Sequence, residues 1–292
     1  MTVAEYARNR RIHNSRRMVN AVMLGLTGLA TILAVIPLIW IVVHVTREGG
    51  RFLSLDFFTR LPTPVGVPGG GVANAIVGSA ILVGIACLIS IPPGILAAIY
   101  AAARPNTRLG VGLRFATDVL SGVPSVVVGI FAYTILVVPL KHFSALSGGA
   151  ALAMIMLPTV IRTTEEMLKL VPASLREASL ALGAPEWKTS LSVMLPAALE
   201  GVVTGIMLGV ARVAGEAAPL MLTAFGNPFM STDIGQPIAA LPQTIFVYAV
   251  APYKDWHDKA WTTALVLMIL VLGLNIIARL IIAWRRRKLG VA

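Results

Sequence analysis

In the stretch "ARVAGEAAPL", residues 211–220, Arg212 and Glu216 interrupt a run that otherwise holds no Lys, Arg, Asp or Glu from Gly201 to Thr232. A guanidinium is planar, stays charged and donates two parallel hydrogen bonds, which suits an oxyanion. A carboxylate four residues away would moderate that attraction, because a conducted ion must be drawn in yet not held. The same spacing permits an ordinary intrahelical ion pair, although Glu before Arg is the better order. At about 100° per residue, Gly201, Gly205, Gly209, Arg212, Glu216, Pro219 and Thr223 fall within a stripe about 80° wide. Small residues at such spacing admit a neighbouring backbone, and charges within a span face the bundle interior or a watery cavity. The stripe is therefore expected to look inward. A weaker version begins at Asp118, with Gly122, Ser125 and Gly129 sharing a face. The Ser125 hydroxyl could donate to an oxyanion. Asp118 reads as a helix N-terminal charge, and Glu165 and Glu166 as interfacial solvation.

These residues need a membrane around them. The 292-residue chain is 57% hydrophobic and 13% charged, with a mean hydropathy of +0.83. A soluble domain of that length cannot hide so much apolar surface, so an all-α integral membrane protein is the expectation. Runs at 18–45, 73–102, 116–140, 146–168, 198–224 and 260–284 each suffice for a transmembrane helix, which needs about 20 apolar residues. A seventh apolar run, 234–253, is broken by Pro237, Pro242 and Pro252 and reads as a surface or re-entrant segment. Pro92, Pro93 and Pro124 are expected to kink helices around a cavity.

Charge sets the orientation. Arg8, Arg10, Arg11, Arg16 and Arg17 begin the chain and Arg285, Arg286, Arg287 and Lys288 close it. Arg104, Arg108 and Arg114 follow the second span, and Arg162, Lys169, Arg176 and Lys188 surround the connection after the fourth. Sixteen of the 24 basic residues thus fall on one side, which the positive-inside rule makes cytoplasmic. Both ends lie inside, so the number of spans is even. The layout is a tail at 1–17, a six-span domain at 18–284 and a tail at 285–292. The net charge of +11 reflects topology and anionic lipid rather than nucleic acid.

The sequence has no G-x-x-x-x-G-K-[ST] phosphate loop, no H-E-x-x-H and no G-x-S-x-G. Its four His are scattered, without metal-ligand spacing, and Cys87 is a lone thiol. No metal or catalytic constellation is expected, and no cofactor. A transport subunit driven by another protein fits better than a membrane enzyme or a structural protein.

The longest cytoplasmic connection, within 171–197, reads as two short helices. Ser174 and Glu177 have capping-box spacing, Gly183 suits a helix C-terminus and Pro185 a following first turn. An amphipathic segment lying on the membrane is the alternative. "EASLALG", nine residues and "VMLP" resemble the EAA signature of importer-type ABC permeases through Glu177, Ala178, Gly183, Leu195 and Pro196, with Ser179 and Val193 as mild departures. "SGVPSVVVGIFAY" (121–133), 157–184 and "ARVAGEAAPLMLTAFG" (211–226) are similar to the phosphate permeases of the Pst system. The resemblance implies the type I ABC importer permease fold and an EAA loop docked on an ATPase subunit. It implies a second permease subunit, two ATP-binding subunits that hold ATP and Mg, and an external phosphate-binding protein. The residues alone leave molybdate, sulfate or an amino acid open as cargo.

Overall fold

The computed structural model describes residues 3–288, with side chains from 16 to 284. The side chains of Arg8, Arg10, Arg11 and Arg285–Lys288, on which part of the orientation argument rests, lie outside the described residues. No strand occurs among those described. Two residues, Phe225 and Ile238, make an isolated parallel bridge.

The long helices are α1 (Val3–Gly50), α3 (Ala73–Ala103), α7 (Ala145–Lys169), α10 (Leu195–Ala214) and α13 (Lys254–Lys288). Shorter ones are α2 (Leu55–Thr59), α4 (Arg108–Gly122), α5 (Ser125–Ala132), α6 (Val138–Leu140), α8 (Ala173–Ala181), α9 (Glu186–Thr189), α11 (Ala218–Thr223) and α12 (Leu241–Val250). π-Helical turns at Tyr133–Val137 and Ser190–Met194 join α5 to α6 and α9 to α10. Five of these stretches are long and apolar enough to cross a membrane, and a sixth appears when α4 and the α5–α6 rod count as one bent span.

The central helix is α7. Leu152, Met156 and Val160 meet Leu82 of α3, Val210 and Val213 of α10 and Leu220 of α11 in one core. Small residues make that possible. A Cβ at Gly149 would strike Ile85, and one at Gly94 would strike Val160, so α3 and α7 pack only because both positions lack side chains. By contrast α1 touches the rest near Gly49, which lies on the Trp261 backbone, and at His44, whose ring stands edge-on to Trp261.

Two expected elements change. The third span does not run 116–140. It bends by 104° between Gly122 and Ser125, because Val123 takes an extended conformation (φ −73°, ψ 128°), as the residue before a proline does. Pro124 therefore breaks the helix rather than kinking it, while α3 continues unbroken through Pro92 and Pro93. The fifth span, 198–224, breaks at 215–217. Helix α10 stops at Ala214, and α11 resumes at Ala218 with a proline in its first turn. The Ser144 N–H donates to the Thr223 carbonyl, so this broken span still reaches the level of the α7 N-terminus. The seventh apolar run, expected as a surface or re-entrant segment, folds in against α3. Asn74 donates to the Asn227 carbonyl at 2.7 Å and the Leu241 N–H to Ser79 at 2.8 Å. Residues 227–241 thus descend about 7 Å along α3 before α12 turns back beside α13.

Candidate functional site

The two charges that open the sequence problem sit at a helix break. Arg212 occupies the last turn of α10 and Glu216 follows its end. They are not on one continuous helix, so the stripe expected from Gly201 to Thr223 ends at Ala214, and the i, i+4 geometry is lost with it. Among the described residues neither side chain takes part in a salt bridge or a side-chain hydrogen bond. Arg212 is exposed on this chain and Glu216 half-buried.

The depth of Arg212 follows from packing. A Cβ at Gly201 would strike Met167 and one at Gly205 would strike Thr163, while one at Gly209 would lie 3.4 Å from Met156. Helices α10 and α7 therefore run antiparallel, and Gly209 faces the middle of the 25-residue α7. Arg212 lies less than a turn further on, just past the middle of α7 toward its N-terminus and within the apolar length of that helix, where an unpaired charge is costly. The small-residue face meets α7 of this same chain, which gives the glycines a packing role. The cation at the end of α10 also complements the carbonyl end of the helix dipole.

Ser125 is the first residue of α5, half-buried, directly after the 104° bend. One turn on, Gly129 sits against the Pro219 backbone, 2.8 Å from where its Cβ would be. The α5 face that carries Ser125 and Gly129 thus meets α11, whose first residue is two positions after Glu216. Val128 of α5, Val210 and Val213 of α10 and Leu220 of α11 share one core, a seam; Ser125 begins α5, Arg212 lies in the last turn of α10 and Glu216 in the link to α11.

The connection between α7 and α10 holds one separate short helix, α8, while the second expected helix, α9, is the first turn of a continuous helical stretch from Glu186 to Ala214. Gly183 adopts φ +82°. Its N–H donates to the Leu180 carbonyl at 2.9 Å, and the Ala184 N–H to Ser179 at 3.2 Å, the paired bonds of a Schellman cap. The capping box does not form. Pro172 takes the N-cap position and Ala173 starts the helix, so Ser174 lies two positions too far in to cap it. Ser179, at the departure from the third signature position, shares a 2.9 Å hydrogen bond with buried Thr189 and ties α8 to α9. Glu177, Ala178, Gly183 and Pro196 are exposed, and Leu182 at the tip is 90% exposed. This is a rigid, apolar-tipped projection.

Sequence reasoning missed the ion pairs around it. Asp118 lies inside α4, whose N-cap is Thr107, and pairs with Arg162, which also reaches Glu166 at 3.1 Å. Glu165 is buried rather than solvated, with Arg114 and Lys169 each 2.6 Å away. Arg114 also donates to the carbonyls of Ala101 and Pro105. One signal was readable: α4 offers Arg114 and Asp118, and α7 offers Arg162 and Glu165, opposite signs one turn apart on each helix.

Residues 94–291 match the family model "binding-protein-dependent transport system inner membrane component". The chain is 45% identical over 272 residues to a phosphate transport system permease protein PstA of Yersinia pestis, covering 93% of this chain and 92% of that one. It is 36% identical to PstA 1 of Mycobacterium tuberculosis, covering 94% and 91%. A permease chain from an inward-facing structure of the MetNI methionine ABC transporter superposes with a TM-score of 0.59 at 20% identity, covering 73% of this chain and 94% of the other. That last likeness speaks to the type I importer fold. The chain belongs to the binding-protein-dependent transport system inner membrane components and, within them, to the PstA family of phosphate transport system permeases.

Proposed function

We propose that this permease subunit of a phosphate ABC importer forms one half of the anion pathway, with Arg212, Glu216 and Ser125 along it. Arg212 carries the reading, as a guanidinium within the apolar length of α7 with no partner among the described residues. An intramembrane charge left unpaired marks a transport path more often than a structural strut. Broken helices place irregular backbone beside such paths, where a cavity can satisfy it. Arg212 attracts the phosphate, Glu216 limits its residence, and Ser125 offers a neutral donor across the seam. A second six-span permease supplies the other half.

The α8–α9 projection docks on an ATP-binding subunit through Glu177, Ala178, Gly183 and the exposed Leu182. ATP and Mg are held by those partner subunits. Both chain ends and the projection face the cytoplasm, and residues 226–259 face the external phosphate-binding protein. A cysteine introduced at Asp233 should then react only with reagent added outside, and labelling from the cytoplasm would invert the topology.

The deciding experiment is reconstitution of the four-part complex in vesicles. Phosphate-loaded binding protein should stimulate ATP hydrolysis and drive phosphate uptake. Sulfate or molybdate at the same concentration should do neither. Equal stimulation by sulfate would make the pathway one for oxyanions at large.

A further inference from the structure

The α8–α9 projection is continuous in sequence with α7 and α10, so any push on it reaches those helices through the chain itself. Helices α3 and α4 belong to a different stretch; they are held to α7 by apolar packing and by Arg114 and Asp118, and a direct link to the projection is a separate matter. The structure has one. Glu186, the first residue of α9, stands between Arg176 of α8 at 3.3 Å and Arg104, the C-cap residue of α3, at 3.2 Å. On the far side of Arg104 the corner is stiff. Arg114 of α4 donates to the carbonyl of Ala101 at 2.8 Å, to that of Pro105 at 3.2 Å and to Glu165 at 2.6 Å. Thr107 caps α4 and accepts from Gly110 at 3.1 Å. Helix α4 then leads through Val123 and Pro124 directly into Ser125.

We infer that Arg104 is a positioning residue: with Glu186 it forms the strut through which the docking projection moves the α3–α4 corner, and so the Ser125 end of α5. This rests on the reading of α8–α9 as the ATPase dock. The strut's two side chains are about half exposed, which suits a link that transmits displacement without locking the resting state. Pairs of that kind are individually weak, so breaking one should lower coupling by about two- to fivefold rather than unfold the permease.

The test uses the reconstituted complex with Arg104→Gln, Arg104→Lys, Glu186→Gln and the double variant Arg104→Gln with Glu186→Gln. Expected for Arg104→Gln are normal co-purification of the ATP-binding subunits, unchanged ATP hydrolysis without phosphate-loaded binding protein, and about two- to fivefold less phosphate carried per ATP. Arg104→Lys, which keeps the charge, should restore most of that ratio. The double variant should lose no more than Glu186→Gln alone, because both act through one link. A wild-type transport ratio in Arg104→Gln would overturn the strut while leaving the dock standing. Loss of the ATP-binding subunits from Arg104→Gln would also overturn it, by making Arg104 part of the dock. Additive losses in the double variant would show two separate roles.

Discussion

The loop end of the bundle and its seam use the same side chains in opposite ways. At the loop end Arg114, Glu165 and Lys169 close on one another, and Arg162 holds Asp118 and Glu166. At the seam Arg212 and Glu216 lie four residues apart without pairing. The contrast follows from the backbone. On an unbroken helix, as with Arg162 and Glu166 of α7, residues four apart meet. At the end of α10 the chain leaves the helix between Arg212 and Glu216, and the two side chains lose their shared face. Paired charges fix one helix against another, whereas unpaired ones remain free to meet an ion.

The strongest way to break this comparison is at Arg212. Arg212→Gln keeps much of the side-chain length and removes the charge. Hydrogen bonds to a charged group contribute about 1.5–3 kcal/mol, so phosphate uptake should fall by about ten- to a hundredfold while assembly is retained. Arg212→Lys should recover part of the rate, because the charge returns without the planar fork. Uptake at the wild-type rate in an assembled Arg212→Gln complex would make the seam structural.

The opposite end should answer in stability rather than flux. Arg114→Leu leaves buried Glu165 with Lys169 as its remaining cation and removes the donor to Ala101 and Pro105. Breaking a fully buried pair costs about 3–5 kcal/mol. Arg114 is about one-third exposed and Lys169 persists, so about 2 kcal/mol is expected, read as a lower midpoint of thermal unfolding in detergent. An unchanged midpoint would show that α4 is held by apolar contact alone.

The projection offers a smaller effect of a different kind. No atom lies within 4 Å of a Cβ added at Gly183, so space is not the constraint there. Its left-handed backbone is. Gly183→Val should cost about 1–2 kcal/mol locally, distort the α8–α9 angle and reduce ATP-driven uptake. Gly183→Asn should be far milder, since Asn tolerates that conformation. Equal losses in both variants would point to the surface of glycine rather than its φ.

What could be read from the sequence was what is local or periodic. Gly183 announced its turn because a short helix ending in glycine has few other solutions. Arg212 announced itself because charge in an apolar run is costly wherever the run folds. Pro124 was visible as a disturbance but not as a 104° bend, since the size of a bend is fixed by what the two flanking helices pack on, here the charged face of α7 for α4 and α11 for α5. The break after Ala214 was hidden because helical rotation assumes an unbroken helix, and Gly215 with Pro219 carried too little local weight to deny it. Ser174 and Glu177 had the right spacing for a cap, but Pro172 had already started the helix. The pairing of Arg114 with Glu165 joins residues 51 apart, and no local pattern reports that.

Ser125 gives the mildest and sharpest test of the seam. It is neutral and begins a helix, so Ser125→Ala removes one hydroxyl without a charge change and without the Gly129–Pro219 contact being touched. A neutral hydrogen bond contributes about 0.5–1.5 kcal/mol net, which predicts about a two- to tenfold higher phosphate concentration for half-maximal uptake. Thermal stability should stay level, because Ser125 makes no side-chain hydrogen bond among the described residues whose loss would be felt. Combined with Arg212→Gln, the serine change should add little if both groups address the same anion, since a phosphate no longer drawn to the seam gains nothing from a second donor. Strict additivity would place Ser125 and Arg212 at separate stations along the path, and the seam would then be a sequence of sites rather than one.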